Sequence, residues 1–109
     1  MDERKLMEFL HYYRIRPTFA GRDPLVQTLE ILCAHPERMD EPLVRIFREI
    51  APFYEATEKQ ICNNIDTLCK RIGNIDLRYL TKIAGYPVEE KPKVKQLVEI
   101  LLNHLLREV

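Results

Sequence analysis

Six polar side chains near the middle of the chain recur at the spacing of one helical face. They are Lys59, Gln60, Asn63, Asp66, Thr67 and Lys70. Glutamine and asparagine amides can form paired hydrogen bonds with adenine in the DNA major groove, each worth about 1–3 kcal/mol of discrimination. Lysine ammonium groups can bind phosphates. These residues therefore predict base contacts from Gln60 and Asn63, flanked by phosphate contacts from Lys59 and Lys70. A solvated polar helix face is the alternative interpretation.

The segment that carries these residues has a strong helix start signal. Thr57 and Gln60 form a capping box, in which each side chain accepts a hydrogen bond from a backbone N–H that lacks a partner inside the helix. An apolar stripe follows at helical spacing, and it consists of Ile61, Ile65, Leu68 and Ile72. Gly73 then supplies a typical stop signal. The pattern predicts a helix from Thr57 to Ile72 whose apolar side faces the core.

A second helix precedes it closely, so that residues 43–72 have the outline of a helix-turn-helix. Ile50, Ala51 and Tyr54 would pack against the later helix, and a small residue such as Ala51 allows the two axes to approach. The connecting turn has Glu55 at a position where glycine is common. The residues of this segment alone favour the alternative of an ordinary helical hairpin in an all-α bundle.

Helix signals cover nearly the whole chain, and strand-like alternation is absent. The predicted helices begin at Asp2, Asp23-Pro24, Asp40-Pro42, Thr57, Asp76 and Pro92, and the last of them runs towards Val109. The predicted ends lie before Arg16-Pro17, near His35-Pro36, after Pro52 and at Gly73 and Gly85. Residues 1–109 are therefore predicted to form one compact all-α domain of six helices.

The last helix has an unusually wide apolar face, formed by Val94, Leu97, Val98, Leu101, Leu102, Leu105 and Leu106. Such a helix more often lies at the centre of a core. A homodimer seam is the alternative, because Ile100 and Leu102 widen the apolar arc beyond a single stripe.

Composition limits the function classes. The 109 residues include 17 basic and 17 acidic side chains, which is not the basic balance of a non-specific nucleic-acid binder. The segment from Ala56 to Lys82 is nevertheless mildly positive, with 5 basic and 3 acidic residues. No apolar run is long enough to span a membrane, and the charged opening is unlike a signal peptide. The expected compartment is the cytoplasm.

Catalytic and metal-binding patterns are missing. Cys33, Cys62 and Cys69 are odd in number and form no C-x-x-C pair, which argues against a disulfide framework or a zinc site. The three histidines lie on different segments without metal-ligand spacing. No glycine-rich phosphate loop or nucleophile motif occurs. The sequence predicts a protein that is not an enzyme and that needs no cofactor or metal.

The whole chain from Phe9 onwards resembles a known family, the C-terminal DNA-binding effector domain of the response regulator that initiates sporulation in spore-forming Firmicutes. The clearest match is Gly73-Asn74-Ile75-Asp76 followed by Gly85-Tyr86 and the final helix. Further matches lie upstream, at Leu10-His11, Ile15, Pro17, Gly21, Ile50-Ala51 and Thr57. The resemblance implies an all-helical domain whose fourth helix, residues 57–72, is a recognition helix for double-stranded DNA.

In that family, arginines on the exposed face of the recognition helix contact DNA. The matching positions of this chain hold Gln60, Cys62, Asn63 and Asp66, and the receiver domain that precedes the effector in the family is missing. The expected DNA-contacting residues are Thr57, Lys59, Gln60, Asn63, Asp66, Thr67 and Lys70. The alternative function is a protein-interaction domain that kept the fold and lost DNA binding, and that uses the last helix or the apolar edge of the second.

Overall fold

The computed structural model describes residues 1–107. In this part of the chain all regular secondary structure is helical, and there is no strand. Its α-helices are α1 (Glu3–Tyr12), α2 (Arg22–Ala34), α3 (Leu43–Ile50), α4 (Glu58–Ile75), α5 (Arg78–Ala84) and α6 (Val94–Leu106), with 3₁₀-helices at Pro36–Asp40 and Ala51–Tyr54. The predicted all-α fold with six α-helices is confirmed. The predicted extension of the last helix towards Val109 lies partly outside the described residues.

The helix α6 lies at the centre of the core, where it packs against α1, α2, α4 and α5. Ile100 and Leu102, which widen its apolar face, are each only 3% exposed. The central-helix interpretation of this face is confirmed. The homodimer seam predicted on the same face is not supported, because its apolar side chains from Leu97 to Leu105 are already covered by other helices of the same chain.

Two of the predicted start signals appear as hydrogen bonds. The Asp2 carboxylate accepts the backbone N–H of Lys5 at 3.2 Å and caps α1. At α4 the capping box is complete: the Thr57 hydroxyl accepts the Gln60 N–H at 3.1 Å, and Gln60 Oε1 accepts the Thr57 N–H at 2.8 Å. Both caps are local interactions across three residues, which explains why they could be recognised in the sequence.

The predicted end of α4 at Gly73 is wrong, because the helix continues to Ile75. Gly73 is a point of close approach: a Cβ atom at this position would lie 3.1 Å from the Cβ of Lys91. The missing side chain therefore makes room for the segment before α6. Asp76 is correspondingly not the N-cap of α5, although its carboxylate accepts the Arg78 N–H at 3.0 Å just before that helix begins.

The connection from α3 to α4 also differs from the prediction. The α-helix ends at Ile50 and tightens into the 3₁₀-helix Ala51–Tyr54, because Pro52 has no N–H to continue the α-helical pattern. Glu55 follows in the left-handed conformation, with φ 50°. The hydrogen bonds from Glu55 N to Pro52 O and from Ala56 N to Ala51 O then close the turn. Helices α3 and α4 pack against each other across this turn.

Candidate nucleic-acid interface

The outward side of α4 is a continuous polar surface. Five of the predicted site residues on the helix are exposed and Asp66 is half-buried; the exposed ones are Lys59, Gln60, Asn63, Thr67 and Lys70. The opposite side of the helix is fully buried in the core through Ile61, Ile65, Leu68 and Ile72. The structure therefore places the predicted side chains on one face of one helix. Below, this surface is called the α4 face.

The capping box limits what Thr57 and Gln60 can do. The amide oxygen of Gln60 is held by the Thr57 backbone N–H, so a paired contact with adenine would have to break the helix cap. Thr67 is also engaged, since its hydroxyl donates to the Asn63 carbonyl at 3.1 Å. The side-chain amide of Asn63 makes no hydrogen bond with any residue of the described chain. Asn63 is therefore the better placed of the two predicted adenine-reading residues.

Asp66, the acidic residue on the α4 face, is neutralised by two lysines. Lys91 Nζ lies 3.1 Å from Asp66 Oδ1, and Lys70 Nζ lies 3.5 Å from Asp66 Oδ2. The hydrogen bond from Lys91 is the main reason why the pKa of this carboxyl lies below its usual value. Its negative charge is thus compensated, which removes most of the repulsion that a bare carboxylate would exert on DNA phosphates.

Three lysines that were not predicted as site residues belong to a segment that passes beside α4. Lys91, Lys93 and Lys95 are exposed and belong to the segment that leads into α6. Lys91 reaches Asp66, while Lys95 lines a groove together with Lys59. The sequence signal was three lysines within five residues, but only the packed structure shows that they lie beside α4. The N-terminus of α6, at Val94, adds the positive end of a helix dipole to this segment.

Cys62 projects away from the α4 face. It is half-buried and lines the groove between α3, α4 and the start of α6 together with Leu43, Phe47 and Val94. Burial raises the pKa of its thiol above the usual value. In this structure the position that the family resemblance matches to DNA contact therefore lies in the groove between α3, α4 and the start of α6.

The opposite border of α4 is held by the connection between α1 and α2. The Arg71 guanidinium donates from Nε to the Tyr13 carbonyl at 2.8 Å and lies over the Phe19 ring at 5.0 Å from its centroid. Gly21 approaches the helix so closely that a Cβ atom there would lie 2.3 Å from the Asn64 carbonyl oxygen. Segments on both sides thus fix the position of α4.

Two further kinds of feature, a metal-ligand cluster and a membrane-spanning helix, do not occur in residues 1–107. No three His, Cys, Asp or Glu side chains in this part of the chain are grouped closely enough to hold a metal ion. None of its helices combines the length and apolar character that crossing a bilayer requires. Comparisons with protein-family models, with curated proteins and with solved structures found no match.

Proposed function

We propose that this protein binds double-stranded DNA through the α4 face, as a transcription-regulator-like domain related to the sporulation effector family. In this proposal residues 43–72 act as a helix-turn-helix, and α4 enters the major groove as the recognition helix. Asn63 contacts base edges, and Lys59 and Lys70 contact phosphates. Thr57 and Gln60 keep the start of the helix in place, and Thr67 lies beside Asn63.

The observation that supports this proposal best is the charge arrangement around α4. Asp66 is compensated by Lys91 and Lys70, and three further lysines form no ion pair among the described residues: Lys59 on the face, and Lys93 and Lys95 in the segment that passes beside it. A chain with zero net charge thus places three lysines without ion-pair partners on and beside the helix that carries the exposed Asn63. Unpaired lysines attract phosphates. A polar helix face that contacts only solvent does not require them.

The electrostatic part of the proposal predicts a measurable salt dependence. Each phosphate contact contributes about −0.9 to the slope of the logarithm of the association constant against the logarithm of salt concentration. Three unpaired lysines therefore predict a slope of about −3. Fluorescence anisotropy with short A/T-containing duplexes, measured at several salt concentrations, gives this slope directly.

Two substitutions separate phosphate contacts from base contacts. We expect Lys59→Ala to weaken binding to all duplexes alike and to reduce the salt slope by about 1. Asn63→Ala should instead lower the preference for the best duplex by about 1–3 kcal/mol. The matched control is Lys82→Ala, because Lys82 is an exposed lysine on α5, a helix that packs against α6.

The absence of salt-dependent duplex binding at micromolar protein would exclude the proposal. If Lys59→Ala and Asn63→Ala both bind DNA as tightly as the parent, the residue assignment is wrong. DNA would then bind to another surface of the protein. Since both side chains are exposed, neither substitution is expected to change stability by more than about 0.5 kcal/mol.

The alternative function, protein binding, is favoured by one specific observation. A groove of about 700 Å³ runs between α3, α4 and the start of α6, and its wall includes Val44, which is 40% exposed. The apolar face of the last helix, which was the first predicted surface for such a role, is buried in the core. A Val44→Asp substitution that leaves duplex binding intact would show that the groove is separate from the α4 face.

A further inference from the structure

Four arginines gather around the connection between α1 and α2 without a carboxylate partner. Five other arginines of residues 1–107 each lie within 4 Å of an Asp or Glu oxygen; they are Arg4, Arg38, Arg45, Arg48 and Arg78. Arg14, Arg16, Arg22 and Arg71 form no such pair within the described chain. Arg14, Arg16 and Arg22 belong to this connection or to the first turn of α2, and Arg71 reaches it from α4, so positive charge accumulates there.

Two of these guanidinium groups hold the connection in place. Arg71 Nε donates to the Tyr13 carbonyl at 2.8 Å, and Arg22 Nη1 donates to the Ile15 carbonyl at 3.0 Å. These two carbonyls lie on either side of Arg14. The backbone that carries Arg14 is thus fixed by two charged side chains, each of which keeps further N–H donors.

A cleft of about 370 Å³ opens where these residues meet the end of α1. Arg14, Arg16, Arg22 and His11 line it, together with the exposed apolar side chains of Met7 and Pro17. No carboxylate of the described residues belongs to its wall. The cleft therefore combines several strong N–H donors with an apolar surface.

The backbone of Arg14 gives an independent indication of function. Arg14 ends α1 in the left-handed conformation, with φ 53°, in a motif closed by hydrogen bonds from Arg14 N to His11 O and from Ile15 N to Leu10 O. Glycine is the usual residue at this position, because a Cβ atom strains the left-handed backbone. Strained residues occur often at ligand-binding sites, and this strained residue is also one that lines the cleft.

We propose that this cleft binds the phosphate group of a soluble phosphomonoester whose organic part is apolar. Guanidinium groups match the geometry of phosphate oxygens and bind them in a bidentate manner. Phosphate also carries close to two negative charges at neutral pH, which suits a site with several unpaired arginines. The organic part would contact Met7 and Pro17, which are the exposed apolar side chains of the cleft wall.

The proposed ligand site is independent of DNA binding by α4. Every residue of the cleft wall among those described comes from α1, from the first turn of α2 or from the connection between them. Arg71 of α4 reaches this region through its hydrogen bond to the Tyr13 carbonyl. The two functions can therefore be tested separately.

Phenyl phosphate is a suitable probe, with inorganic phosphate as the ligand that lacks the apolar part. In a ¹H–¹⁵N NMR titration of the full chain at constant ionic strength, we expect saturable shifts of amide signals in residues 11–22. The expected dissociation constant for phenyl phosphate is about 1 mM or lower. Inorganic phosphate should bind to the same residues more weakly, because it makes no contact with the apolar wall.

The decisive variant is Arg14→Gly, which removes the guanidinium and also relieves the backbone strain. We expect it to unfold at the same temperature as the parent or a higher one, while its affinity for phenyl phosphate falls about tenfold or more. Arg16→Ala should weaken binding in the same direction. Arg45→Ala, at an exposed arginine of α3, is the control and should leave the affinity unchanged.

Linear shifts without saturation would overturn the proposal, as would an Arg14→Gly variant that binds phenyl phosphate as tightly as the parent. A titration with duplex DNA tests whether the cleft instead binds a phosphate of the DNA backbone. If Arg14→Gly weakens DNA binding while phenyl phosphate does not saturate, the cleft holds a backbone phosphate of DNA, and the assignment to a soluble ligand is wrong.

Discussion

At the residue scale, Arg14 and Glu55 stand out because both adopt left-handed backbone conformations. Each ends a helix and lets the chain reverse direction. Glu55 is the position of the turn between α3 and α4 where glycine is common in helix-turn-helix units. Its exposed side chain forms no ion pair or hydrogen bond with the rest of the described chain, so its strained backbone has no evident compensation.

We predict that Glu55→Gly stabilises the protein by about 0.5–1 kcal/mol, because relief of the left-handed strain exceeds the entropy lost by the more flexible unfolded chain. The melting temperature should rise by about 2–6 °C. The control is Glu30→Gly, at an exposed position inside α2, which should lower stability by about 1 kcal/mol. Thermal unfolding followed by circular dichroism tests both, and a loss of stability in Glu55→Gly would contradict the prediction.

Asp66 is the residue that links the proposed DNA binding to stability at acidic pH. Its hydrogen bond from Lys91 holds the pKa of the folded carboxyl below its usual value. The ionised carboxylate therefore stabilises the fold at pH values above the usual pKa. This contribution is lost as the pH falls through the pKa of the folded state.

We predict two effects of Asp66→Asn. Duplex affinity at low salt should rise several-fold, because the α4 face loses a negative charge that attracts Lys70 and Lys91 away from phosphates. The stability lost between about pH 7 and about pH 3 should become smaller, by less than about 1 kcal/mol because the ion pairs are partly exposed. Anisotropy titrations and thermal unfolding at both pH values measure these effects. Glu30→Gln serves as the control, and unchanged duplex affinity in Asp66→Asn would argue against binding at the α4 face.

At the element scale, the crossing of α2 over α4 depends on Gly21. This residue has an ordinary helical backbone with φ −85°, so its role is to permit close contact rather than an unusual conformation. A Cβ atom at Gly21 would collide with the backbone of Asn64. Gly85 is the opposite case: its φ of 78° is left-handed, and a Cβ atom would meet nothing within 4 Å.

We predict that Gly21→Ala destabilises the protein by about 1–3 kcal/mol, because α2 and α4 must move apart. Gly85→Ala should cost about 1 kcal/mol through backbone strain alone. Urea unfolding measures both losses. NMR should show shifted signals along α4 only for Gly21→Ala, and shifts along α4 in Gly85→Ala as well would contradict the proposed difference.

At the scale of the whole molecule, the core is organised around α6. Its wide apolar face is occupied by neighbouring helices on several sides, and a single hydrophobic cluster connects the buried residues of the described chain. The face therefore contributes to stability within one chain. Leu97, Leu101 and Leu105 are all buried. Up to Leu105, this face therefore offers no exposed apolar surface to a second copy of the chain.

We predict that Leu102→Ala lowers the free energy of unfolding by about 2–5 kcal/mol without changing the oligomeric state of the folded protein. The control is Leu106→Ala, at a side chain that is 43% exposed, which should change stability by less than about 1 kcal/mol. Thermal unfolding and size-exclusion chromatography are the measurements. A shift from dimer to monomer in Leu102→Ala would restore the dimer-seam interpretation.

The sequence by itself determined the helical class, the number of α-helices and the polar face of α4. These features depend on interactions within a few residues: a cap joins Thr57 to Gln60, and an apolar stripe repeats every three or four positions. Local hydrogen bonds and helical periodicity are readable from one segment alone. The 3₁₀-helix Pro36–Asp40 was missed, because it is short and has no periodic apolar face of its own.

Only the tertiary structure decided what lies beside α4. Lys91 is 25 residues away from Asp66 in the chain, yet it neutralises that carboxylate. Lys91 also lies close to Gly73, so this glycine, which was predicted to end the helix, is a point of contact between segments. Whether the apolar face of α6 is buried was likewise decided by the helices that cover it. Such contacts join distant segments through the shared core, and their geometry depends on the packing of all the helices together.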